Sequence, residues 1–158
     1  MLEQTIEQIY DVAIKENKIC VYEGSSAENI PNYEADFVSV AIRAIGVNPA
    51  ISEIDLVGMS DNTIKNLIPS ISTLKNLQRL SLHSNYIVAD TVKDLVAAIY
   101  DLPIKSLLLE GNEFLEDQNK CPFELARLLL ELPVCVSISV YDDVADQRVK
   151  LMADAESE

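Results

Sequence analysis

Leu77-x-x-Leu80-x-Leu82-x-x-Asn85-x-Ile87 and Ile104-x-x-Leu107-x-Leu109-x-x-Asn112-x-Phe114 share one template, LxxLxLxxNxL, at every fixed position. Looser copies flank them. Ile51, Ile54 and Leu56 come before, Cys135, Ile138 and Val140 after, with Met59 and Asp143 where the asparagine would fall. Starting at 51, 77, 104 and 135, the units are spaced by 26, 27 and 31 residues. Self-similarity at a period of this length marks a stacked array, because one unit cannot bury its own apolar face and needs a neighbour to cover it.

The template carries two periodicities. In its xLxLx portion the period of two sends Leu80 and Leu82 inward and Arg79, Ser81 and His83 outward, the pattern of a strand. Helical spacing then takes over in Ile64, Leu67, Ile68 and Ile71, in Val92, Leu95, Val96 and Ile99, and in Phe123, Leu125, Leu128, Leu129 and Leu132. Each unit is therefore strand, turn, helix, and stacking such units makes a parallel sheet with strands expected near 53–57, 79–83, 106–110 and 137–141. Asn85 and Asn112 fall where a buried side-chain amide can pair with backbone groups of the turn and its neighbour, so both read as structural.

In its template and intervals the chain resembles the leucine-rich repeat family over about residues 51 to 145. The resemblance is to the long subclass with a full helix per repeat, as in ribonuclease-inhibitor-like and tropomodulin-like domains. It implies a short α/β solenoid with a parallel sheet on the concave face, helices on the convex face and a cap at each end. Residues 1–50 lack the motif. Their stripe Ile6, Ile9, Val12 or Ala13, the strand-like run Ile19 to Tyr22, the loop Gly24 to Asn32 and the second stripe Phe37, Val38, Ala41, Ile42 and Ile45 read as an N-terminal helical cap with a short strand. Residues 146–158 read as a C-terminal cap and acidic tail, within a single domain.

Charge limits the partners. Against 12 basic residues stand 26 acidic ones, and the formal charge of −14 repels phosphate backbones and anionic lipid, so neither nucleic acid nor membrane is expected. Cys20, Cys121 and Cys135 lie far apart without a CxxC pair, which argues against a disulfide framework and structural zinc. Met1 to Thr5 carries no basic n-region, and no apolar run approaches the ~20 residues of a membrane span, so a cytosolic monomer is expected. An effector exported without a signal peptide would carry the same features.

The candidate site is the outward face of the strands. Its columns read Glu53, Arg79, Ser106 and Ser137; then Asp55, Ser81, Leu108 and Ser139; then Val57, His83, Glu110 and Tyr141. Leu108 lies between the core residues Leu107 and Leu109, so the alternation exposes it, with Tyr141 and Val57 nearby. A bulky apolar group flanked by an aromatic and rimmed by charge is the composition of a binding hot spot.

Chemistry is less well supported. His83 is the single histidine, and GxSxG, HExxH, GxxxxGKS/T and GxGxxG are absent. Glu53 and Asp55 would stand ~7 Å apart along one strand, near the spacing of an inverting glycosidase pair. Arg79 falls in the column beside Glu53, and a surface ion pair is the reading preferred here.

The sequence thus predicts a protein-binding module, not an enzyme, with no metal or cofactor. Glu53, Asp55, Glu110 and Asp142 would steer toward a partner with a basic surface, while Leu108, Tyr141 and His83 supply contact area. The resemblance also implies competing readings. Ran GTPase-activating proteins resemble this repeat type but use many more repeats, and a tropomodulin-like cytoskeletal role would set an acidic module against actin's acidic surface.

Overall fold

A computed structural model describes residues 5–21, 33–109, 111–112, 127 and 132. The elements run α1 (Ile6–Glu16), β1 (Lys18–Val21), α2 (Tyr33–Val47), β2 (Glu53–Leu56), α3 (Asp61–Ile71), β3 (Arg79–Ser81), α4 (Ala89–Ile99) and β4 (Ser106–Leu108). The strands form a parallel sheet in the order β1-β2-β3-β4. The chain is a short leucine-rich-repeat solenoid, with the sheet on its concave face and the helices on its convex face. No helix among the described residues is long and apolar enough to cross a membrane.

Alternation along the strands places the core. Leu80, Leu82, Leu107 and Leu109 are buried, as are the stripes Ile64, Leu67, Ile68 and Ile71 on α3 and Val92, Leu95, Val96 and Ile99 on α4. Leu77 and Ile104, which open the two full templates, are buried beside them. The expected fourth repeat strand, 137–141, and the loop Gly24 to Asn32 lie outside the described residues.

The asparagines do what their position implied. Asn85 Oδ1 accepts from the Met59 N–H at 2.8 Å and Nδ2 donates to the Leu56 carbonyl at 2.9 Å. One repeat further on, Asn112 Oδ1 accepts from the Ile87 N–H at 3.2 Å, and Nδ2 donates to the carbonyls of Leu82 and Leu109. Immediately before each ladder position stands a residue in the left-handed region: Gly58, Ser84 and Gly111. Two of the three are glycine, which takes that conformation without a Cβ penalty, and Ser84 is the departure.

A second ladder joins the helix starts. Glu34, in the first turn of α2, accepts from the Ser60 N–H at 2.7 Å and from the Thr63 hydroxyl at 2.9 Å at the head of α3. Asp61, in the first turn of α3, accepts from the Val88 N–H at 3.0 Å, where α4 has no side-chain cap of its own. A carboxylate on one helix thus satisfies an otherwise orphaned donor on the next.

In the N-terminal segment the expected short strand is present, and one helix assignment needs revision. The run Ile19 to Val21 does form a strand, and it pairs in parallel with β2, so α1 and the sheet meet through a strand–helix unit shaped like a repeat without the repeat's motif. Ile42, assigned to the core stripe of α2, is 42% exposed. The buried stripe is instead Phe37, Ala41, Ala44 and Ile45, and at ~100° per residue Ile42 lies about 140° around the helix from Phe37.

Candidate interaction face

Strand register sets the columns of the concave face. Lys18, Glu53, Arg79 and Ser106 stand abreast, as do Cys20, Asp55, Ser81 and Leu108, and Val57 and His83 follow the ends of their strands. Arg79 Nε lies 3.3 Å from Glu53 Oε1, the pair that the column order implied. His83 Nε2 lies 3.8 Å from Asp55 Oδ1, and its Nδ1 is 3.3 Å from Ser84 Oγ. On the edge strand Lys18 Nζ meets Glu16 at 3.4 Å, and the hydrogen bond to that carboxylate raises the lysine pKa. With partners this exposed, such pairs contribute little to stability.

Pairing changes the electrostatic reading of the face. Glu53 is partly neutralised by Arg79 and flanked in register by Lys18, so it does not present the free negative charge expected of a steering group. Among the described residues the buried Asp55 Oδ1 has no hydrogen-bond donor, and His83, charged only when protonated, lies 3.8 Å from it.

The middle column is sunk at Cys20 and Ser81 and half-open at Asp55 and Leu108. Ser81, placed outward by alternation, is 0% exposed, and among the described residues its Oγ has no hydrogen-bond partner. Cys20, in the same column, is also buried. Leu108 is half-buried rather than fully exposed. Val57 and His83 are likewise half-buried. Glu110, Tyr141, Asp142, Ser137 and Ser139 lie outside the described residues.

Asp55, His83 and Ser84 have the residue types of a hydrolytic triad, and the His83–Ser84 contact is present, but the acid's contact is not. At 3.8 Å the carboxylate is beyond hydrogen-bond reach of the imidazole, so it does not orient the ring as a triad acid does.

The exposed large apolar side chains among the described residues are elsewhere: Ile42, Val47, Tyr86 and Tyr100. None was singled out by the repeat pattern. Tyr86 directly follows the ladder asparagine, in the variable position before Ile87, and this adjacency was the only available signal for it.

Scanned against protein-family models and against curated proteins, the sequence matches none. Solved structures do resemble it. A structure of leiomodin-1 actin-binding site 2 superposes with a TM-score of 0.68 at 14% identity, over 96% of this chain and 87% of that one. The tropomodulin C-terminal domain from Caenorhabditis elegans gives 0.64 at 14% identity, over 98% and 94%. The likeness is one of fold. It places the chain's architecture with the tropomodulin-like form of the leucine-rich repeat, the subclass to which the template and its intervals pointed.

Proposed function

We propose that this chain is a protein-binding module without catalytic turnover, and that its partner docks on the concave face. The observation that carries the reading is Leu108, a large apolar side chain left partly uncovered on the sheet's outward side, with Val57 and His83 on the same face. Apolar area that a partner can desolvate, bordered by paired charges, suits recognition by shape with polar groups setting register. A partner with a basic surface fits the chain's overall charge of −14, and the long-range steering comes from that whole-molecule field rather than from Glu53.

The likeness to the leiomodin-1 actin-binding site favours a second, narrower reading, that the partner is actin. A protein-binding solenoid and an actin-binding one are separated by co-sedimentation with actin filaments and by binding to monomeric actin, each with wild type beside Leu108→Arg. Binding lost selectively in the folded variant supports the actin reading and the concave face together. Without actin binding, capture from a lysate with the same pair of proteins tests the broader reading. A partner retained equally by both variants refutes the concave face. In direct kinetics Leu108→Ala should cost more than ~1 kcal/mol, chiefly through faster dissociation. Glu53→Ala should leave the association rate nearly unchanged, because Arg79 already offsets that charge. The absence of turnover is tested by screening for hydrolase activity; an activity abolished by His83→Ala in a folded protein would overturn it.

A further inference from the structure

On α1, α3 and α4 the exposed positions are polar apart from Pro69 and Ala97: Glu7, Gln8, Asp11, Lys15 and Glu16 on the first, Asn62, Lys65 and Asn66 on the second, Asp90 and Asp94 on the third. Helix α2 differs. Its exposed positions include Ala35, Ser39, Ile42, Gly46 and Val47, with Ile42 at 42% and Val47 at 59% of full exposure. Because α2 also buries Phe37, Ala41, Ala44 and Ile45, it carries apolar residues on two opposite sides, although α1 and α3 pack against it and only one side faces the core. Asp36 and Arg43 stand exposed among its outer residues, so this side mixes apolar, small and charged groups where the outer sides of α1, α3 and α4 are almost wholly polar.

Gly46 adds an independent observation. It lies in the last turn of α2, still within the helix, where alanine is the better helix former. Its φ is not in the left-handed region, and a Cβ built there would meet nothing within 4 Å. Neither a left-handed backbone nor a neighbouring atom requires a glycine here, and the missing side chain leaves room for another helix to approach closely.

Spacing and charge identify that helix. Residues 35, 39, 42 and 46 follow steps of four, three and four, the seam of a two-helix coiled coil, and Asp36 and Arg43 each follow a seam residue on the same flank. If two copies of α2 run antiparallel about a two-fold axis midway between Ser39 and Ile42, Asp36 of each copy falls opposite Arg43 of the other. The surface is thus complementary to itself, as an isologous contact requires. Arg43 is already held at this flank, its guanidinium 4.4 Å from the centre of the Tyr10 ring.

We propose that the outer face of α2 pairs antiparallel with the same face of a second copy of this chain, making a weak homodimer and leaving the concave sheet free. A monomer was expected from the sequence, and like charge would favour it; at physiological salt, however, the Debye length is about 8 Å, so repulsion between two chains of −14 is mostly damped beyond the contact. A 15-residue helix spans ~22 Å, which makes a contact well below the usual ~1,600 Å². The dimer is therefore concentration-dependent.

Sedimentation velocity on the full chain in 0.15 M salt, from about 10 μM to about 1 mM, reads the equilibrium over the range of a weak complex. The mass should rise from one chain toward two with concentration. Ile42→Glu should raise the Kd at least tenfold with circular dichroism unchanged. Gly46→Leu should raise the Tm, because it adds a helix-forming side chain in open space, and yet weaken the dimer at least tenfold, a combination that a purely structural role for Gly46 does not give. Asp36→Arg and Arg43→Asp should each weaken self-association by setting like charges opposite one another across the axis. Mixing the two variants should restore it as a heterodimer, because one chain then carries only basic groups at these two positions and the other only acidic ones. Wild type that stays monomeric throughout, a mixture that fails to recover, or a different protein that binds a monomeric chain through Ile42 would each overturn the proposal.

Discussion

Between β2 and β3, and again between β3 and β4, a buried asparagine closes the turn that follows the strand. Before β2 the closing residue is also an asparagine, Asn48, but it works in partly solvated surroundings. Its Nδ2 donates at 2.8 Å both to the Ala13 carbonyl and to Asn17 Oδ1, and its Oδ1 accepts from the Ala50 N–H at 3.1 Å. Asn17 holds the left-handed end of α1, and its carbonyl accepts from the Ser52 N–H. The N-terminal segment is thus stitched to the first repeat at the leading ends of the strands, whereas Asn85 and Asn112 join repeats at the trailing ends. The side chain is the same in both regions. Burial decides its worth, since water can replace a bond lost at Asn48 but cannot reach the donors that Asn85 and Asn112 satisfy.

The largest effect expected from this contrast is at Asn112, where truncation to Ala strands the Ile87 N–H and two carbonyls and should cost on the order of 3 kcal/mol. Asn85→Ala, which strands one donor and one acceptor, should cost about 2 kcal/mol. Urea denaturation measures both, and equal stability of wild type and variants would mean that the ladder is not what holds the turns.

Asn48→Ala should cost only about 1 kcal/mol, because its partners are partly solvated. Hydrogen exchange sharpens the point. Protection should fall in α1 and the residues before β2 while β3 and α4 keep theirs; a uniform loss would show that the N-terminal segment and the repeats unfold as one unit.

The smallest effect concerns Ser84, the ladder's departure from glycine. With φ near 56° and an exposed side chain, Ser84→Gly should stabilise by about 0.5–1 kcal/mol, through relief of the left-handed penalty less the added freedom of the unfolded chain. It should also relieve Gly111, where a Cβ would stand 3.2 Å from Ser84 Oγ, so Gly111→Ala should be less damaging in the Ser84→Gly background. Thermal unfolding of the four proteins tests this, and strictly additive shifts would remove the proposed contact.

Much of the fold was legible because a period of two or 3.6 states, residue by residue, which way a side chain points. Leu80, Leu82, Leu107 and Leu109 went inward on that basis alone, and register across equal repeats brought Arg79 beside Glu53. The sheet's extra strand was less legible, since Ile19 to Val21 lacks the motif and is joined to β2 at an interval of 35 residues, against 26 and 27 for the later strands.

Direction is a local property, fixed by backbone geometry and recorded in the sequence; cover is not. Alternation turned both Ser81 and Leu108 outward, but only packing among residues from three strands decided that Ser81 is enclosed and Leu108 half-covered. The same holds on the other side of the molecule, where the apolar content of α2 was plain from its composition, yet the positions of α1 and α3 determined which apolar residues reached the core and which, like Ile42, were left facing out. Burial is a relation among side chains distant in sequence, so it is settled only when the chain has brought them together.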